Sequence, residues 1–309
     1  MSVFKKRMAV SISSWFCVPE QGMKDLEILC RGSAFLIPSV SKEFSHKYHV
    51  VTSSHVVAPW RWPQYYSSDW LQMINENHIH YTVEVRDDDG TFIVQKDCRP
   101  QGYHHPSRDL ALLHLEIDTK PSQFHPEAGL LIETGLQPLS LYKERDGQSV
   151  PPVGSSLSFH GHEMISPPFM LGGERERGKG EEEEDNRKPE PRVVSGRLGT
   201  RSKHQVFATT STSLTDGMCG GCVLSEERET AGEVVGVVEG IVPLDYPLEA
   251  VRGMAVFVES PVISEFITEI EEDSDIGKAS LLAPSTPVWT VVGADQDPEK
   301  MDWNRLSRE

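Results

Sequence analysis

Short runs of β-branched and aromatic residues, each closed off by glycine, proline, aspartate or serine, recur through residues 1–120 of the chain. The runs at residues 9–16, 33–37, 49–52, 79–85, 91–95 and 110–116 are too short to stand as helices and read as strands. Asp87-Asp88-Asp89-Gly90 reads as the hairpin turn between two of them. The expectation is an all-β chain whose first compact unit spans residues 1–120. Residues 121–150, punctuated by Pro121, Pro126 and Pro138, read as a connector. A second unit, opened by Val153-Gly154-Ser155-Ser156-Leu157-Ser158-Phe159, spans residues 151–272, and residues 273–309 form a tail. A chain of 309 residues is long enough for two separate cores. Within the second unit, residues 172–191 hold an acidic block and no large apolar side chain, so they are expected to be a disordered loop.

The net charge of −17 excludes a nucleic-acid partner, because binding to phosphates needs a basic face that releases counterions. Much of that charge is segregated at residues 181–185 and 269–275, so the folded body is less acidic than the total. No apolar run reaches the roughly 18 residues of a membrane-spanning helix. The five cysteines, at 17, 30, 98, 219 and 222, are few and odd in number, which favours a reducing, intracellular compartment and fits the cytoplasm. The basic Lys5-Lys6-Arg7 ahead of residues 8–18 leaves a mitochondrial presequence or a secretion signal open. The serines at 11, 13 and 14 dilute such a signal and favour a first strand at residues 10–16.

Gly217-Met218-Cys219-Gly220-Gly221 has the shape of a nucleophile loop with sulfur in place of oxygen. Its glycines would let the backbone turn sharply, so that the N–H groups of Gly217 and Cys219 face an oxyanion formed when Cys219 attacks a carbonyl. Cys219 and Cys222 also spell Cys-x-x-Cys, a spacing used for zinc and for disulfide exchange, which keeps a thiol redox or zinc protein open as an alternative. A thiol of ordinary pKa, about 8.5, needs a neighbouring imidazole to take its proton. The strand Val50-Val51-Thr52-Ser53-Ser54 delivers His55, and Arg108-Asp109-Leu110-Ala111-Leu112-Leu113 opens a buried-looking strand with Asp109. Asp109 would fix the tautomer of His55, and His55 would later protonate the leaving amine.

In order and spacing, His55, Asp109 and Cys219 resemble the catalytic residues of the chymotrypsin-like superfamily. Gly32-Ser33-Ala34-Phe35-Leu36-Ile37, Val193-Val194-Ser195-Gly196-Arg197-Leu198 and Gly236-Val237-Val238-Glu239-Gly240-Ile241 resemble successive strands of its Deg/HtrA-like branch. Met254-Ala255-Val256-Phe257-Val258, followed by the apolar-periodic residues 261–267, is similar to that branch's last strand and closing helix. The resemblance covers residues 8–272 and implies two six-stranded Greek-key β-barrels packed face to face, with a C-terminal helix. It also implies an endopeptidase that cleaves peptide or protein substrates with no metal or other cofactor. A catalytically inactive relative that keeps the barrels as a peptide- or protein-binding module is the alternative.

Serine members of the superfamily carry serine at the Cys219 position, while picornavirus-type members carry cysteine in the same Gly-x-Cys-Gly-Gly setting. Met218 stands where the trypsin branch has the aspartate that receives a new N-terminus, so zymogen activation of that kind is not expected. No histidine follows Cys219, so the picornavirus-type preference for glutamine is not expected either. The resemblance puts Ser213 and Leu214 at the base of the primary specificity pocket, and neither offers a charge to a basic side chain. Substrate is expected to lie as an added strand along residues 238–242, beginning with Val238, Glu239 and Gly240, with the Glu239 carboxylate exposed; turned inward, it would instead offer a charge to Lys or Arg. His104, His105, His160 and His162 lack a metal-ligand spacing and read as exposed loop histidines. Cys30 and Cys98 read as residues packed within the first unit.

Overall fold

The computed structural model describes residues 7–41, 48–62, 65–66, 68–88, 90–99, 102–115, 134–145, 147–148, 150, 151–166, 187–202 and 205–272. Residues 116–133, which include the first part of the 121–150 connector, the acidic block at 181–185 and the tail at 273–309 lie outside the described residues.

The chain is mostly strand. The N-terminal part contains β1 (Val10–Phe16), β2 (Glu27–Pro38), β3 (Tyr48–Thr52), the one-turn helix α1 (Ser54–Val57), β4 (Ile79–Arg86), β5 (Phe92–Cys98), β6 (Tyr103–His104) and β7 (Ala111–Leu113). These strands form one seven-stranded sheet in the order β5-β4-β1-β2-β3-β7-β6. The expected closed ring of six is therefore not what the described strands form. β7 is only three residues long, and among the described residues β5 meets the stretch that follows β7 through one isolated bridge, Cys98 to Leu115, beside the bond from the Arg99 amide to the His114 carbonyl. The Asp87 turn forms as read: Gly90 takes φ +77°, which glycine adopts without strain, and its amide donates to the Asp87 carbonyl.

The C-terminal part contains β8 (Ser156–Ile165), β9 (Lys188–Arg201), β10 (Val206–Thr210), β11 (Cys222–Ser225), β12 (Val234–Ile241), β13 (Ala255–Glu259) and the helix α2 (Ser260–Glu272). Its six strands close into a barrel in the order β10-β13-β12-β11-β8-β9. Residues 188–191, expected to belong to a loop, instead start β9, pairing Pro189 with Met164 and Pro191 with His162. They can do so because β10 pairs with β9 only from Gly196 onward, so Pro189 and Pro191 sit where β9 has a single neighbour and no second row of donors is required.

Four apolar clusters form the interior among the described residues, and three of them position the site. Alternation along β2 sends Ala34 and Leu36 into the core of the N-terminal sheet and Phe35 and Ile37 to the opposite face. There they meet Val51, Leu110 and Leu112 from the sheet, Cys222, Leu224 and Val237 from the barrel, and Ile263, Phe266, Ile267 and Ile270 from α2. The helical spacing of those last four residues puts them on one face, and each fully buried aliphatic or aromatic side chain contributes about 1.5–3 kcal/mol. Phe159, Phe257, Val194 and Leu198 belong to the third cluster, in the barrel. A buried polar relay adds to the clasp of α2: Glu271 accepts from His49 Nε2 at 2.7 Å and from the Val40 and Ser41 amides, while His114 Nε2 donates to His49 Nδ1 at 3.0 Å.

Candidate functional site

The seam between sheet and barrel brings together His55, Asp109 and Cys219. β3 ends at Thr52 and the chain turns at once into α1, which carries His55. The backbone of that single turn is pinned from behind: Ser14 Oγ donates to the Val56 carbonyl at 2.8 Å and Tyr81 Oη to the Val57 carbonyl at 2.9 Å. Ser54 is fixed as well, its Oγ sharing a hydrogen bond with His104 Nδ1 at 2.8 Å and accepting from Trp62 Nε1 at 3.4 Å. Asp109, fully buried just before β7, accepts twice from one residue: the His55 amide donates to Oδ1 at 2.9 Å and Nδ1–H to Oδ2 at 2.5 Å.

With Nδ1 taken by Asp109, Nε2 is the nitrogen left for a further partner, and the Cys219 side chain is close enough to act on the ring. Burial by itself would lower the pKa of His55. The Asp109 charge, the hydrogen bond it accepts and the Cys219 sulfur together outweigh burial, and hold the imidazole well above its ordinary value.

The Cys219 loop owes its shape to positions that tolerate no side chain. Gly217 and Gly220 take φ +94° and +84°. A Cβ on Gly220 would lie 2.1 Å from the Ser33 carbonyl oxygen and 2.3 Å from Thr52 Oγ1. Ser33 is the brace: its amide donates to the Cys219 carbonyl at 2.8 Å, its Oγ to the Gly217 carbonyl at 2.7 Å, and the His162 amide donates to that same Oγ at 2.8 Å. The amides of Met218, Gly220 and Gly221 are spent on the carbonyls of Thr215, Val238 and Met218. Those of Gly217 and Cys219 make no backbone hydrogen bond among the described residues, which suits two donors facing an oxyanion.

The residues expected to hold substrate divide. Gly240, on β12, has open space where a Cβ would stand, and Ser213 is exposed. Leu214 is buried in the barrel core. Val238 cannot offer its main chain to a substrate: its amide donates to Gly221 at 2.9 Å, and its carbonyl accepts from the Gly220 amide at 2.9 Å and from Ser53 Oγ at 2.6 Å. Glu239 is not exposed as expected but 2 % accessible, because a bulge in the pairing with β13 turns it inward. There Gln205 Nε2 donates to its carboxylate at 3.2 Å. Burial, reinforced by the Asp109 charge, pushes its pKa up to about 8.

The histidines read as exposed loop residues are strand-borne or strand-adjacent, with His104 and His162 buried. Burial pushes both down to about 3, so they stay neutral. No cluster of three or more His, Cys, Asp or Glu side chains able to hold a metal occurs among the described residues.

Three site residues escaped the sequence reading. Tyr65 stacks on the His55 ring at 4.8 Å between centroids, Trp62 meets that ring edge-on at 6.3 Å, and Tyr66 lies 6.4 Å away. The concentration of Trp60, Trp62, Tyr65 and Tyr66 within eleven positions after His55 was the available signal.

Scanned against protein-family models and searched against curated proteins, the chain returns no match in either comparison. Among the described residues no helix is long and apolar enough to cross a membrane.

Proposed function

We propose that the protein is an endopeptidase of chymotrypsin-like fold that cleaves peptide bonds through Cys219, with the N-terminal sheet as the counterpart of the first barrel. The observation that carries this reading is the meeting of His55, Asp109 and the Cys219 thiol at the seam. His55 Nε2 takes the thiol proton as Sγ attacks the substrate carbonyl carbon. The resulting oxyanion is received by the N–H groups of Gly217 and Cys219. His55, held by Asp109, then gives its proton to the leaving amine, and water released onto the thioester by the same imidazole completes the turnover. The aromatic wall of Trp62 and Tyr65 keeps bulk water from the far side of the ring.

Substrate adds as a strand beginning at Gly240 rather than at Val238, whose main chain is already committed. Glu239 points inward with a carboxyl largely neutral near pH 7, and Ser213 and Leu214 carry no charge, so a preference for Lys or Arg is not favoured. The test is cleavage of a peptide library by wild type and Cys219→Ala side by side. Products from wild type alone are expected. Binding of peptides by both proteins, with cleavage by neither, would assign the groove to a binding module.

A further inference from the structure

The five cysteines differ in what they face. Sequence spacing pairs Cys219 with Cys222, but the fold separates them. Cys222 is fully buried on β11 within the seam cluster, its Sγ 3.8 Å from the Met8 carbonyl oxygen, whereas Cys219 packs against the core of the N-terminal sheet. Burial also drives the Cys222 thiol strongly toward its protonated form.

On the Cys219 side, Cys30 packs against the same core and is close enough to Cys219 for the two to interact electrostatically. β2 pairs regularly with β1 from Cys30 onward, Ser14 with Cys30 and Ile12 with Gly32, and the irregularity in that ladder precedes Cys30. Cys30 and Gly32 therefore share the face that carries Ala34 and Leu36 into the core with Cys219. A Cβ on Gly32 would lie 2.9 Å from the Cys219 carbonyl oxygen, so this face of β2 looks onto the nucleophile loop, and Cys30 is two residues, or about 7 Å, further along it. The Val56 side chain, 2.7 Å from the same position, fills the place of a side chain at Gly32, so the backbone of β2 comes close to the loop. Cys30 Sγ sits 3.3 Å from Tyr66 Oη, and the Tyr66 ring is 6.4 Å from that of His55. Cys17, Cys30 and Cys219 are partly exposed, while Cys98 and Cys222 are buried, and Cys17 lies at the far end of β1, bonded to the Met23 carbonyl.

We propose that Cys30 is a resolving thiol for Cys219, closing an intramolecular disulfide once a hydroperoxide has oxidised the nucleophile. The proposal rests on Cys219 being the reactive thiolate of the function proposed above. In the first step the Cys219 thiolate attacks the peroxide, its O–O bond breaks, an S–O bond forms, and the peroxide leaves as hydroxide or alkoxide after taking two electrons from sulfur. In the second, the Cys30 sulfur attacks the Cys219 sulfur, the S–S bond forms and the S–O bond breaks. The departing hydroxide takes the Cys30 proton and leaves as water. The sum is two thiols and one hydroperoxide giving one disulfide, one water and the reduced peroxide. Burial raises the Cys30 pKa, which disfavours Cys30 as the first thiol to be oxidised. The disulfide stops peptide cleavage and protects Cys219 from oxidation that no thiol can reverse.

The experiment exposes the purified protein to a few equivalents of hydrogen peroxide, blocks free thiols with N-ethylmaleimide and maps unreduced digests by mass. Wild type is expected to give a linked pair of peptides containing Cys30 and Cys219, separated again by dithiothreitol. Cys222→Ser gives the same pair. Cys30→Ser instead accumulates about tenfold more sulfinic acid at Cys219, which dithiothreitol does not reverse. A Cys219–Cys222 link in wild type, or sulfinic acid forming there as fast as in Cys30→Ser, overturns the proposal, and the wild-type map needs no variant to fold. Because the readout is mass, the two proposals fail separately. A protein that forms the link yet cleaves no peptide refutes the peptidase alone, and one that cleaves peptides without ever forming the link refutes the thiol pair alone.

Discussion

The N-terminal sheet and the C-terminal barrel hold their halves of the site by different physics. The sheet contributes His55 on a single helical turn, which has almost no intrinsic stability, and fixes it with a buried carboxylate that takes two hydrogen bonds from the same residue. The barrel contributes Cys219 on a loop fixed by close contact: glycines with no room for a Cβ, and carbonyls tied to Ser33 of the opposite unit. An electrostatic clamp can be weakened without moving atoms, whereas a steric one cannot. The difference teaches that the two halves should respond unlike one another to substitution.

The largest effects fall on the chemistry. Cys219→Ala and His55→Ala are expected to fold and to lose at least about 10⁴-fold in kcat/KM, measured on a fluorogenic peptide, with iodoacetamide labelling of Cys219 slowed in His55→Ala. Asp109→Asn keeps the shape of the clamp but removes its charge, and should cost roughly 10³–10⁴-fold in kcat with little change in KM. Equal activity of Asp109→Asn and wild type would sink the electrostatic half of the comparison.

The steric half is tested by stability. Gly220→Ala places a methyl 2.1 Å from a backbone oxygen at φ +84°, and should cost about 3 kcal/mol or more in urea unfolding, with the site lost as the loop shifts. Phe266→Ala removes the largest α2 side chain from the seam cluster and is expected to cost about 3–5 kcal/mol while leaving residual activity in the folded fraction. A Phe266→Ala protein as stable as wild type would show that α2 is not what clamps the two units together.

The smallest effect concerns Glu239. Its folded pKa, about 8, lies above the ordinary carboxyl value, so between about pH 4.5 and 8 the folded state keeps a proton that the unfolded state releases. Its contribution is full below the unfolded value and declines as pH rises through the folded one. Glu239→Gln should flatten that decline, read as a smaller fall in Tm between pH 5 and pH 8 than in wild type. An identical Tm profile for the two proteins would show that Glu239 is ionised when folded.

Much of the strand pattern was legible because alternation and turn residues act locally. Residues 10–16, 48–52, 79–86 and 234–241 fall close to where β-branched runs end at turn formers. The length of β2 was not legible, since Glu27 to Arg31 lack an apolar alternation and are held in the strand by pairing with β1. Nor was the start of β9, where prolines suit a strand only because one neighbour is missing. The inward turn of Glu239 escaped for the same kind of reason: a bulge is set by the ladder it interrupts, and the sequence shows only a carboxylate between a valine and a glycine.

By itself the sequence determined the all-β class, the positions of His55, Asp109 and Cys219 along the chain and the need for glycine around the sulfur, because each follows from local sterics or from the chemistry of a single side chain. Only the tertiary structure decided which core each sulfur joins. Cys219 and Cys222 are neighbours in the chain but belong to different cores, while Cys30 and Cys219, 189 positions apart, look into the same one. That outcome depends on which face of β2 meets the Cys219 loop, a choice made by strand register and by packing across the seam, which no local pattern encodes.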